Sequence, residues 1–423
     1  MNRDNNPILK ENIDIITAIR DNLIEIKASA STEDKIDFKF LNQYIKDKEI
    51  IGLGEATHGT KEFQDMRTII IAHLVENLGF RTIVLEESYC HSLRMNSYIL
   101  NGEGTAEEAV NEGLFFEWVF KTKETLALVK WMREYNLRAD ENNKVRFYGM
   151  DVQGAEKALE IVASYIRKVD LKNCCMVKEY LELFNEKNNK TDLIALKEKL
   201  LNIEEFFINN KVQYIENSSK REFNDVFHCI EVYKQFLEYS NEKNFNARDR
   251  YMYENTKWII ENERTYNEGK VIVIGHNDHI SKSISPNMGE DRQLGYWLKK
   301  QYKEKYYNMG FEFSRGLFYS WDISTRELKI FKVDNSIKKD LAARIFEETG
   351  VPMFYIDLNS SSYRSLSLKK FISTLNRYYS IGALYDDKAE GWGVDELILE
   401  DMYDSIIYIK DSTNTTLCQA LDK

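Results

Sequence analysis

Residues 50–60 read I-I-G-L-G-E-A-T-H-G-T, and the reading of this stretch decides the fold. A short apolar run from Ile50 to Leu53 ends abruptly in Glu55 and His58. Charged side chains are seldom buried without partners. A carboxylate and an imidazole directly behind a buried strand therefore mark a strand end. In an open α/β sheet, the crevice beyond the carboxyl ends of the strands is where ligands bind.

The pattern repeats downstream. Helical spacing over 61–77, closed by Gly79, leads to a second apolar run at 82–85. Strand, helix and strand in so short a span make a βαβ unit, hence a parallel pair. A third strand is predicted at 145–150 and a fourth at 270–275, with further candidates at 309–313, 330–333, 353–358 and 405–409. Upstream, Ile13, Ile16, Ile19, Leu23 and Ile26 predict a helix over 12–28. Helical segments are expected over 88–136. From 156 to 265 strand signals vanish and Glu, Lys, Asn and Leu recur at helical spacing. The expected fold is α/β: a mostly parallel central sheet flanked by helices, formed by residues 1–155 and 266–423, with an inserted all-helical lobe at 156–265.

The better strands all end in polar groups. The first leads to Glu55 and His58, the second to Glu86 and Glu87, the third to Asp151, and the fourth to His276, Asn277, Asp278 and His279. Parallel strands bring these to one edge of the sheet. Asp151 alone reads equally well as a helix N-cap. Arg67 joins the set because Phe63, Arg67, Ile70 and Leu74 share one helical stripe, which turns its guanidinium toward the sheet. A guanidinium there needs a carboxylate, with Glu55 and Glu86 nearest; a purely structural ion pair is the alternative. His73, His91 and His228 lie in helical stretches without such company and read as structural or exposed.

Several standard sites are missing. The closest approach to G-x-S-x-G is E-F-S-R-G at 312–316, which lacks the first glycine. H-E-x-x-H is absent. G-L-G at 52–54 starts like a dinucleotide loop, but Glu55 would repel a pyrophosphate. What remains is acid–base chemistry: an imidazole that takes a proton from water and a carboxylate that fixes its tautomer. The candidate catalytic residues are His58, Glu55, Arg67, Glu86, His276 and His279, with Asp151, Trp118 and Asn277 as candidate substrate-binding residues. Imidazoles and carboxylates also bind zinc, iron or manganese, so a metal-dependent hydrolase and a non-catalytic haem or metal-binding protein stand as alternatives.

Composition narrows the class. The chain has 423 residues and a net charge of −11, a poor match for nucleic acid or an anionic membrane. Five cysteines without C-x-x-C spacing, Cys174 and Cys175 adjacent among them, indicate neither a disulfide framework nor a thiolate zinc site. No apolar run reaches the ~20 residues of a spanning helix, and the first ten residues lack a signal core. A cytoplasmic protein acting on a small molecule is expected.

Taken in order, G-L-G-E-A-T-H-G-T at 52–60, F-R-T-I-V-L-E at 80–86, W-M-R-E-Y-N at 131–136, F-Y-G-M-D-V-Q at 147–153, R-D-R-Y-M-Y-E-N at 248–255, G-H-N-D-H-I at 275–280 and D-M-Y-D-S-I-I-Y-I-K at 401–410 resemble the erythromycin esterase family over about 45–415. The resemblance implies a hydrolase that opens macrolide lactone rings by metal-independent water activation, without a serine nucleophile. It places Glu55 and His58 on the family's acidic residue and proposed general base, Arg67 on its buried arginine, Glu86 on its second acidic residue, and His276 and His279 on its paired histidines. Gly275 and Asp278 depart from the alanine and the small residue common at those places. The expected arrangement has His58 facing His276 and His279 across a gap wide enough for an ester, between aromatic and aliphatic walls. Asp278 is expected either to line this cleft, favouring a cationic amino sugar, or, the preferred reading, to turn away and cap the helix near 291–300.

Overall fold

The computed structural model describes residues 7–27, 36–174, 193–242, 245–284, 292–334, 341–359, 363–389 and 391–418. Among the described residues the strands are β1 (Ile24–Glu25), β2 (Ile50–Leu53), β3 (Thr82–Ser88), β4 (Arg146–Asp151), β5 (Val271–Ile274), β6 (Tyr306–Asp322), β7 (Leu328–Asp334), β8 (Met353–Asp357), β9 (Leu375–Tyr379), β10 (Leu384–Tyr385), β11 (Val394–Ile398) and β12 (Ser405–Ser412). The main sheet runs β1-β8-β12-β6-β2-β5-β3-β4, with β7 and β10 also on β6, while β9 and β11 form a separate antiparallel pair. From β12 to β4 every neighbour is parallel; β1, β7 and β8 pair antiparallel at the margins.

The adjacent strands β2 and β5 are apolar throughout because both faces are covered. Ile51, Leu53, Ile83, Leu85, Ile272 and Ile274 enter one core with Phe63, Ile70 and Leu74 of the helix Lys61–Leu78. Their alternates Ile50, Val84, Val271 and Val273 enter a second core. Each such side chain contributes about 1.5–3 kcal/mol by leaving water.

The second core is roofed by the segment expected as a helical lobe. Helices Lys157–Val169, Leu193–Asn209, Lys211–Glu216, Lys220–Glu242 and Phe245–Glu263 fill it, with no strand among the described residues. Val162, Ile166, Cys229, Ile259 and Ile260 from these helices pack with Tyr148 and Met150 of β4 in one cluster. The helices thus cover the sheet directly and share its core.

Two expectations change. The first helix stops at Asn22, and Ile24–Glu25 pairs with β8, so the apolar spacing from Leu23 onward belongs to a strand edge. The strand at 309–313 is the middle of a 17-residue β6, whose outer half forms a hairpin with β7.

The glycines beside β2 set how closely the strands' ends approach. A Cβ at Gly54 would lie 2.1 Å from Asn277 Oδ1. Its absence lets the Asn277 amide bond β6, donating to Phe311 O at 2.7 Å and accepting from Phe311 N–H at 3.0 Å.

Candidate active site

The loop after β2 is held on several sides. Asn277 N–H donates to Glu55 O at 2.9 Å, Ile381 N–H to Ala56 O at 2.9 Å and Thr415 N–H to Gly59 O at 3.0 Å. The Thr57 and Thr60 hydroxyls bond each other. On this loop Glu55 is fully buried and His58 nearly so. Glu55 Oε1 lies 2.8 Å from His58 Nδ1, and Oε2 lies 2.7 Å from Arg67 Nη2. A carboxylate accepts only, so Nδ1 carries the proton and the neutral ring keeps its lone pair on Nε2. Arg67 is buried as its helical stripe required.

Across the strand ends stands His276, its ring centre 5.2 Å from that of His58 at an interplanar angle of 51°. That is a contact distance for aromatic rings and leaves no room for an ester between the faces. Substrate must therefore meet the ring edges, which corrects the wide gap expected from the sequence. The Trp118 ring lies edge-on to His58 at 6.2 Å and is almost fully buried, so it walls the imidazole in.

The two late histidines are separated in role. His279 is engaged at both nitrogens: Nδ1 donates to Asp249 at 2.8 Å, and Nε2 lies 3.1 Å from Glu86 Oε1. Burial opposes its charge, but Asp249 and Glu86 outweigh it and hold the pKa well above the ordinary histidine value. Carboxylates at both ring nitrogens thus favour the charged form of His279. His276 Nδ1 lies 3.3 Å from Asp278 Oδ2, whereas its buried Nε2 has no hydrogen-bond partner among the described residues. Burial again opposes protonation, and Asp278 with Glu86 overcomes it, so the pKa is raised.

Glu86 links these groups. Oε2 accepts from His276 N–H at 2.8 Å, and Oε1 accepts from Arg248 Nη2 at 2.9 Å. Burial would lift this carboxyl, but His279 and Arg248 hold it well below the usual range. Arg248 also grips Asp151 through Nε at 2.9 Å. Next to Glu86, Glu87 accepts the N–H groups of Ser88, Phe115 and Phe116, yet burial pushes it up to about 8.

Three expectations are corrected here. Asp151 turns to Arg248 and to Gln153 N–H, and Asn277 to the Phe311 backbone, so neither offers its side chain to a substrate. Asp278 faces His276 and accepts from Ser380 Oγ at 2.8 Å. The residue that caps the following helix, Leu294–Tyr302, is Asp249, which accepts from Leu294 N–H at 2.9 Å. Asp278 cannot serve there because its short helix Asn277–Ile280 already commits it to the strand end.

Arg248 and Asp249 were not singled out from the sequence, although they open the R-D-R-Y-M-Y-E-N segment. The signal was available: Arg248, Met252, Asn255 and Ile259 form a helical stripe like the one that exposed Arg67, and the last three are fully buried. The other histidines stay apart. His73 pairs with Asn42, and His228 stacks on Trp258 at 3.9 Å with Nε2 on Asn255.

Around the strand ends Glu55, Glu86, Asp151, Asp249 and Asp278 are committed to guanidinium or imidazole partners, and Glu87 to backbone N–H groups. Among the described residues no group of three or more His, Cys, Asp or Glu side chains is disposed to hold a metal ion. The donor set fits ion pairing and proton transfer rather than chelation.

Comparison with known proteins identifies the family. Residues 75–412 match the erythromycin esterase family. The chain is 26% identical over 330 residues to erythromycin esterase type II of Escherichia coli, covering 69% of this chain and 75% of that protein. It is 22% identical over 423 residues to the putative hydrolase YbfO of Bacillus subtilis, covering 92% of this chain and 89% of that one. A crystal structure of a Bacillus cereus protein, 25% identical, superposes with a TM-score of 0.82 over 96% of this chain and 99% of its own. No helix among the described residues is long and apolar enough to cross a membrane. With its strand ends, ion pairs and histidines so arranged, this chain is a hydrolase and belongs to the erythromycin esterase family.

Proposed function

We propose that the protein hydrolyses a carboxylic ester, opening the lactone ring of a macrolide or a similar cyclic ester, with His58 as the base that activates water. The observation that carries this reading is the Glu55–His58 pair: a buried carboxylate 2.8 Å from Nδ1 leaves Nε2 as the proton acceptor at the strand ends. Arg67 holds Glu55 from behind, so the carboxylate orients the ring and stabilises the imidazolium formed on proton transfer. Trp118 supplies an apolar wall of the kind a macrolide's large apolar faces would meet. Such an activity would inactivate a macrolide. The thiols of Cys90, Cys229 and Cys418, free among the described residues, suit a cytoplasmic setting.

A mass-spectrometric screen across macrolides and other lactones, seeking products heavier by one water, tests the substrate class. On a lactone that is turned over, His58→Ala should lower kcat by about 10²–10⁴-fold, the usual contribution of a general base. Near-normal turnover by that variant would remove His58 from the role.

A further inference from the structure

His58 and His276 are built alike. Each ring sits at a strand end, each has a carboxylate at Nδ1, and each is almost fully buried. They differ in what lies behind the carboxylate. Glu55 is backed by the Arg67 guanidinium, whereas Asp278 is backed by the neutral Ser380 hydroxyl. A cation behind a carboxylate weakens its hold on a proton at the ring; a hydroxyl does so far less. The first ring is thereby suited to accept a proton and the second to carry one.

We propose that Asp278, held by Ser380, is a positioning residue that acts through His276 and makes His276 the proton donor to the leaving alcohol. This rests on the ester-hydrolase reading. In the step, His58 Nε2 takes a proton from water as the water oxygen bonds to the carbonyl carbon. The tetrahedral intermediate then breaks its bond to the alkoxy oxygen, and the proton on His276 Nε2 passes to that oxygen. The new carboxylic acid ionises and its proton reloads His276, while His58 returns its proton to solvent. Ester and water give carboxylate, alcohol and one proton. The unpartnered Nε2 of His276 is the donor this step needs.

The groups facing His276 are consistent with this. Asp278 and His279 come from its own turn, Glu86 from β3, Glu55 and His58 from the loop after β2, and Arg248 and Asp249 from the helix Phe245–Glu263 by way of His279. The N–H of Asp278 also lies 3.4 Å from Nδ1, a long contact that the ring accepts only with its proton on Nε2, whereas Asp278 Oδ2 at 3.3 Å is the partner of a protonated Nδ1. Burial and the Asp278 carboxylate act in opposite directions on His276, with the carboxylate prevailing.

Asp278→Asn and the milder Ser380→Ala test the idea in the full-length protein. By NMR of labelled histidine, the His276 titration should fall to lower pH in D278N and less far in S380A. Two esters with one acyl group, an alkyl ester and a p-nitrophenyl ester, separate acid catalysis from general damage. On the alkyl ester D278N should lose about 10–100-fold in kcat, part of the 10²–10⁴-fold an acid supplies. On the p-nitrophenyl ester, whose leaving group needs no proton, the loss should be small, and the alkaline limb of the alkyl-ester profile should move to lower pH. Equal losses on both esters, or an unmoved His276 titration, overturn the proposal. If D278N does not fold, S380A decides by the same two readouts. If the wild-type protein cleaves neither ester, the hydrolase reading fails by itself. The His276 titration in D278N then decides the coupling: a fall keeps it and no change overturns it.

Discussion

Glu55 divides its two oxygens between His58 and Arg67, and that division explains why a fully buried carboxylate is tolerated beyond β2. Both partners are buried, so loss of the Arg67 guanidinium leaves the Glu55 charge uncompensated, while loss of the neutral His58 ring leaves one carboxylate oxygen without its donor. Arg67→Ala should destabilise the protein by about 3–5 kcal/mol, the cost of stranding one member of a buried pair. Urea unfolding of purified protein would show this as a lowered midpoint at constant slope, and a change under about 1 kcal/mol would mean that Glu55 finds another partner. Glu55→Gln keeps the volume but offers an amide that satisfies either His58 tautomer. It should lower kcat more than it raises KM, because it removes an interaction that strengthens only as the imidazolium forms.

At the scale of elements, the helix Phe245–Glu263 is more than a cover for the sheet. Its first turns send Arg248 to Asp151 of β4 and Glu86 of β3, and Asp249 to His279 and the next helix. Arg248→Met should therefore cost about 3–5 kcal/mol, since two buried carboxylates lose one cation. It should also let the His279 side chain shift, with activity falling before global unfolding; unchanged activity and stability together would contradict the ion-pair account. These contacts also show what a sequence yields and what it withholds. The strand ends were legible because a buried parallel strand is a short apolar run, and Glu55, Glu86 and His276 each break such a run. Arg67 was legible from its own stripe. Arg248 lies 162 residues from Glu86 and 97 from Asp151, and only the folded topology brings them together. The partners of Asn277 and Asp278 were illegible for another reason: at a strand end a polar side chain can face either the cleft or the neighbouring backbone, and spacing does not distinguish them. The marginal strands β1, β9, β10 and β11 are two to five residues long, too short for a period to emerge.

Across the whole molecule, buried titratable groups set a pH dependence whose sign can be worked out. Burial pushes Glu312 up to about 8 and, with help from Glu263, Asp225 up to about 7. Both are protonated in the fold above the pH at which an unfolded carboxyl ionises, so their contribution falls as pH rises from the ordinary carboxylate value toward those figures. His276 and His279 are raised against burial by Asp278, Asp249 and Glu86; their contribution is complete below the ordinary histidine value and is lost as pH rises through the folded one. His228 acts oppositely. Burial lowers it to about 3, so its contribution is lost as pH falls from the ordinary histidine value toward 3. Between about pH 6.5 and 8 the first four groups therefore act in one direction, with the native state holding more protons than the unfolded chain. Stability should drop there by about 1.4 kcal/mol per pH unit for each whole excess proton. The net charge of −11 adds self-repulsion of the same sign, but salt screens exposed charges well and buried ones poorly. Urea midpoints measured at pH 6.5 and 8 in high salt should thus still fall with pH, and Glu312→Gln, which mimics the protonated acid, should reduce the slope. A midpoint that is level or rising over that interval would mean these groups are hydrated in the fold and not shielded as the structure has them.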